Sequence, residues 1–133
     1  MTDWSDSGYD RSMADRWLYA FRSDQFRLVK VGLVLRESRL RPRLSEVRKA
    51  SDMPDLEMVW SRCLPSISHE EAEHVEAAVR LWLARSGSLR FIGKVDWLAI
   101  DIESDRLRDV LDLAFEAAAA FGTENSPIGT ADL

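Results

Sequence analysis

Apolar residues recur at helical spacing along most of this chain, and polar residues gather in the gaps. After an aperiodic polar opening (residues 1–9), Asp10 or Ser12 can cap a first helix running to about Arg22. Met13, Trp17, Leu18 and Phe21 would share one side of it. Residues 24–38 fit two patterns. Arg27, Lys30 and Glu37 fall on one helical stripe with Val34 in the fourth position, while Val29 and Gly32 break strand alternation. The Val, Leu and Phe content nevertheless favours β structure. Helix is the reading taken, with strand as the alternative. A strand there would enlarge the β element to three strands and make the fold an α+β sandwich.

The middle of the chain is better punctuated. Pro42 suits the first turn of a short helix carrying Leu44 and Val47 and ending near Ala50. Pro54 can open another, with Asp55 in its first turn, a stripe of Leu56, Val59, Trp60, Cys63 and Leu64, and Pro65 as its stop. Ser68-His69-Glu70-Glu71 has the form of a capping box, in which Ser68 bonds the Glu71 amide and Glu71 reaches back. The helix it opens would bury Ala72, Val75, Val79 and Trp82, pair Glu76 with Arg80 outside, and end at Gly87. A last helix starts after Ser104, buries Leu107, Val110, Leu111, Ala114, Ala118 and Phe121, and ends at Gly122. Between these two, Leu98, Ile100 and Ile102 alternate with Trp97, Ala99 and Asp101, and Gly93-Lys94 can form a tight turn. The pattern therefore predicts a mainly α (α+β) single domain over residues 10–122: a bundle of about five to six helices with a small β-hairpin near residues 88–102. Flexible segments are expected at residues 1–9 and 123–133.

Composition narrows the class. A chain of 133 residues with 46% hydrophobic and 31% charged side chains is one ordinary globular domain. The apolar stretches at 28–35 and 113–121 contain Lys30 and Glu116 and fall short of a membrane span. No leader-like apolar region opens the chain. Cys63 is the lone cysteine, so an internal disulfide is impossible. These features predict a cytoplasmic protein without membrane association. Fifteen arginines against three lysines, with an Ala-rich last helix, fit a GC-rich bacterial source.

Charge changes the picture more than composition does. The net charge of −5 hides blocks: residues 36–49 sum to +4, residues 50–79 to −6 and residues 109–133 to −5. Two opposed charged faces for a protein partner are one consequence.

Candidate chemistry is sparse. In His69-Glu70-Glu71-Ala72-Glu73-His74 the histidines stand five apart, so on a helix their imidazoles diverge by about 140° and cannot share a zinc ion as histidines four apart do. Glu71-x-x-His74 matches half of a di-iron pair, but the chain has no second copy. Asp101, Glu103 and Asp105 offer oxygens for Mg²⁺ or Ca²⁺ but also suit the helix N-terminus they precede. Cys63 lies on an apolar stripe, where cysteine behaves as a small hydrophobe. There is no phosphate-binding glycine loop and no nucleophile elbow. No catalytic residue, metal site or cofactor is therefore assigned.

The first functional expectation is a protein-binding regulator, adaptor, inhibitor or immunity-type protein, or complex subunit, without catalytic activity. Its contact residues are expected among Arg36, Arg39, Arg41, Arg43, Arg48 and Lys49, with Trp97 as an aromatic anchor and an acidic protein as partner. The alternative is a nucleic-acid regulator of winged-helix-like order contacting phosphate through residues 36–49, although each possible recognition helix leads with carboxylates. A second alternative is an enzyme or metal-binding protein using His69, Glu73 and His74. The oligomeric state is open.

Overall fold

Where the spacing predicted a helix across residues 10–22 and another in 24–38, the chain instead makes an antiparallel pair of strands, β1 (Ala14–Ser23) and β2 (Leu28–Val34). The structure, a computed structural model, describes residues 12–87, 89–92 and 94–124. After β2 come a short 3-10 turn (Glu37–Arg39), α1 (Leu40–Ser51), β3 (Glu57–Ile67), α2 (His69–Arg85), β4 (Leu89–Ile92), β5 (Lys94–Ile100), a 3-10 turn (Ser104–Arg106) and α3 (Leu107–Glu124). The strands form one antiparallel sheet in the order β3-β1-β2-β5-β4. The bundle of five to six helices is therefore corrected to an α+β fold of three helices and a five-stranded antiparallel sheet. None of the described helices is long and apolar enough to cross a membrane.

The error has a physical cause. A strand covered on both faces loses its alternation and reads as an apolar run. β1 is such a strand: Leu18 and Ala20 point to one face, Tyr19 and Phe21 to the other, and all four are buried. In β3 an irregularity between the pairs Ala20–Trp60 and Phe21–Met58 inserts Val59 as an extra residue. Val59 and Trp60 then both pack toward one cluster, which imitates the i, i+3, i+4 spacing of a helix. Pro65 does not stop β3, because β3 is an edge strand and a missing N–H is tolerated there.

The two faces of the sheet carry separate cores. α2 and α3 cover one face, where Leu18, Val31, Trp60, Leu64, Leu98 and Ile100 meet Val79, Leu83, Leu107 and Leu111. α1 covers part of the other, where Leu40 and Val47 meet Tyr19, Phe21, Val34 and Leu56. On that second face Tyr19 stands opposite Gly32 across β1 and β2. A Cβ at position 32 would fall inside the Tyr19 phenol, so the glycine is what lets the ring lie flat on β2.

Several local readings hold. Ser68 Oγ accepts the Glu71 N–H at 3.2 Å and donates to the Glu71 carboxylate at 3.1 Å, so the cap forms with the side chains bonded to each other. Glu76 pairs with Arg80, but against the sheet rather than outside, since both side chains are largely buried and Arg80 also donates to the Val31 carbonyl at 3.3 Å. Gly87 follows α2 with φ +82. Pro42 lies in the first turn of α1, and β4 and β5 form the expected hairpin. Gly93 lies outside the described residues, and Lys94 already belongs to β5. α3 continues past Gly122 to Glu124. Of the expected flexible segments, 1–9 and 123–133, residues 1–9 and 125–133 lie outside the described residues, whereas residues 123 and 124 belong to α3.

Candidate interaction surfaces

The residues expected to form a binding surface are gathered by α1, but they divide by role. Arg39 Nη2 donates to Glu46 at 2.9 Å and Arg43 Nε lies 3.3 Å from the same carboxylate. The Arg39 hydrogen bond, helped by Arg43, holds the Glu46 carboxyl below its usual range. Arg48 Nε donates to the Leu56 carbonyl at 2.8 Å and ties the end of α1 to the approach of β3. Arg36, Arg41 and Lys49 are exposed, and their side chains make no ion pair or hydrogen bond among the described residues. Half of the basic block is therefore internal fastening, and half is available.

Trp97 lies on the same side of the sheet as α1. It is half-buried, packs against the core beneath that helix, and has the Lys30 ammonium 5.7 Å from its ring centroid. Its cationic neighbour comes from the sheet, through the Lys30–Trp97 pair between β2 and β5. On the opposite side of the sheet, α2 and α3 together hold eight carboxylates against three guanidiniums. Residues 36–51, by contrast, hold six bases against two acids. The sheet thus separates a basic side from an acidic one.

Two further surfaces have no counterpart in the sequence reading. An apolar groove of about 540 Å³ runs between α2 and α3, lined by Ala78, Leu81, Trp82, Arg85, Ala117 and Ala120. The helical periodicity of α2 places Trp82 correctly toward α3 but does not reveal that the small side chains of α3 leave it partly uncovered. The other surface is a polar recess of about 380 Å³ beside β3, lined by Met58, Arg62, Arg108 and Asp112. There Trp60 Nε1 and Arg62 Nη2 donate to Asp112 at 2.9 and 2.8 Å, and Arg62 also stacks 5.2 Å from the Phe115 centroid. The Trp60 and Arg62 hydrogen bonds lower the Asp112 pKa against an opposing contribution from burial. Some fifty residues separate these partners in the chain, so no local motif announces the cluster.

The catalytic candidates come no closer together. His69 Nε2 lies 3.2 Å from Glu73 one turn later in α2, while His74 is exposed. Among the described residues no group of three or more His, Cys, Asp or Glu is placed to hold a metal. Asp101 is engaged by Arg90 at 2.9 Å. Cys63 is half-buried on β3, and burial, reinforced by Asp15 and Glu37, pushes its thiol pKa up and disfavours the thiolate. The two-helix order that imitated a winged helix is replaced by β3.

No known family, curated protein or solved structure matches the chain.

Proposed function

We propose that this protein works by binding another protein, as a regulator, adaptor, inhibitor or subunit, and that the side bearing α1 contacts an acidic surface of that partner. One observation supports this reading: the sheet sets the basic segment of residues 36–51 on one side and the acidic helices on the other, leaving Arg36, Arg41 and Lys49 exposed and unpaired among the described residues. Complementary charge steers encounter and fixes orientation, and exposed arginine supports specific contacts. Trp97 with Lys30 on the same side adds an aromatic element of the kind that anchors interfaces.

The test compares wild type with an Arg36→Glu, Arg41→Glu, Lys49→Glu variant. Both are tagged and recovered from native cells with and without nuclease. These exposed side chains make no internal bonds among the described residues, so the unfolding midpoint should stay within a few degrees of wild type. The expected result is a near-stoichiometric protein partner that survives nuclease and is lost from the variant. Recovery of nucleic acid with wild type, abolished by nuclease, would replace the protein partner with phosphate as the target of the same residues. An equal yield of partner from both proteins would remove the α1 side from the interface.

A further inference from the structure

β3 is eleven residues long and lies at the edge of the sheet, bonded on one side to β1. Among the described residues no strand lies beyond it. A free edge of this length is a template for another strand, and proteins defend such edges with bulges, prolines and charges. β3 has all three defences. Pro65 and Ser66, the latter at φ 47, bound the usable length at its C-terminal end, and Val59 is the extra residue of a bulge.

The bulge has a second effect, on the order of faces. Glu57 pairs with Arg22, Trp60 with Ala20 and Arg62 with Leu18, so all three sit on the face that α2 and α3 cover. Met58 pairs with Phe21 and Ser61 with Tyr19, which puts them on the other face. Val59 packs toward the α2–α3 side. From residue 57 to residue 62 the facing order therefore reads the same in both directions. A regular strand, strictly alternating, cannot match this order along its whole length. An antiparallel second copy of β3 can.

We infer that the β3 edge pairs with β3 of a second copy of this chain about a two-fold axis between Val59 and Trp60, joining two five-stranded sheets into one. The register sets Glu57 opposite Arg62 of the second copy, Met58 opposite its Ser61, and Val59 opposite its Trp60. A two-fold axis makes each contact twice, so the Glu57–Arg62 attraction is repeated. Both side chains are accessible in the single chain, 59% for Glu57 and 41% for Arg62, so each can take the contact in addition to its own partner, Arg22 for Glu57 and Asp112 for Arg62. The polar recess beside this edge holds Arg62, Arg108 and Asp112; with one carboxylate between two guanidiniums it keeps a net positive charge, and that charge draws the incoming carboxylate. Met58, 41% exposed in the single chain, becomes covered. The bulge therefore turns away foreign strands and admits its own copy.

The test is register-specific cross-linking of the full chain. With Cys63→Ala as background, Met58→Cys and Ser61→Cys are introduced singly and together, and each protein is oxidised at low concentration. Positions 58 and 61 of one chain lie three residues apart along the same strand, roughly 10 Å, too far to join within the chain. Directly opposite residues of an antiparallel pair are about 4.5–5.5 Å apart, within disulfide reach. The expected result is a covalent dimer from the double-cysteine protein and background levels from either single. In parallel, sedimentation equilibrium of wild type should give a monomer–dimer equilibrium, with Glu57→Arg raising the dissociation constant at least tenfold because it opposes arginines twice. A monomer at every concentration overturns the inference and leaves the edge to a strand of another chain. A dimer that links equally well through a single cysteine, or that ignores Glu57→Arg, overturns it too.

Discussion

The two sides of the sheet are built differently. Beneath α2 and α3 the apolar side chains form a broad core that reaches every strand, with Leu83, Leu98, Leu107 and Leu111 wholly buried. Beneath α1 the core is small and depends on one stack, the Tyr19 and Phe21 rings 4.1 Å apart, capped by Leu40 and Val47. Burial scales with apolar area removed from water, so stability should reside mainly on the α2–α3 side. The α1 side, carrying less of that burden, tolerates a dense cationic surface. The contrast assigns folding chiefly to one side of the sheet and, in the reading proposed above, recognition to the other.

The largest expected effect tests that contrast directly. Leu111→Ala, in the broad core, should cost about 3 kcal/mol, whereas Val47→Ala, in the small one, should cost about 1.5 kcal/mol. Urea unfolding monitored by far-UV circular dichroism measures both. Equal losses would mean that α1 contributes as much to folding as the other two helices.

Gly32→Ala sharpens the same comparison from within the small core. The new Cβ meets the Tyr19 phenol, and that ring cannot retreat because it is 1% exposed and stacked on Phe21. A loss of about 1–3 kcal/mol follows from overpacking, with a changed near-UV aromatic spectrum. Retention of the wild-type midpoint would show that the Tyr19 stack is not a fixed part of this core.

The smallest effect concerns Asp112, on the α2–α3 side. Its folded pKa lies below the ordinary 3.8, held down by the Trp60 and Arg62 hydrogen bonds. Such a group adds stability above its unfolded pKa and loses that contribution as pH falls through the lower folded value. The side chain is 42% exposed, so solvent screens the contribution to under about 1 kcal/mol. The difference in unfolding free energy between wild type and Asp112→Asn should shrink as pH drops below about 3.8. A difference that stays constant from neutral pH to about pH 2.5 would show that ionised Asp112 gains nothing from Trp60 and Arg62.

α2 and α3 were legible in the chain because each has one buried face, so the hydrophobic period survives in the order of residues. The β4–β5 hairpin was legible although Leu98, Ala99 and Ile100 are all buried, because Leu98, Ile100 and Ile102 alternate with Trp97, Ala99 and Asp101. The basic block at 36–49 was legible as composition, and its concentration around one helix followed from Pro42, Leu44 and Val47. β1 was not legible, because burial on both faces erases alternation; nor was β3, because one inserted residue shifts its period. The β1–β2 turn shows the same dependence on distant parts. Asp55, thirty residues on, accepts from the Gln25 N–H at 3.0 Å and the Ser23 hydroxyl at 2.9 Å and holds the reversal in place. Those hydrogen bonds, with the Ser23 hydroxyl, also keep the Asp55 carboxyl below its usual range.

The amino-acid order by itself determined where α2 begins and ends, where α3 begins and where charge accumulates, since capping, periodicity and composition act over a few residues. Only the tertiary structure decided which strands are central, which edge is open, that Asp112 joins Trp60 and Arg62, and that Arg36, Arg41 and Lys49 stay exposed while Arg39, Arg43 and Arg48 are tied down. Those outcomes depend on which distant side chain arrives at a given atom, and pairing across a sheet fixes that only once the chain has closed upon itself.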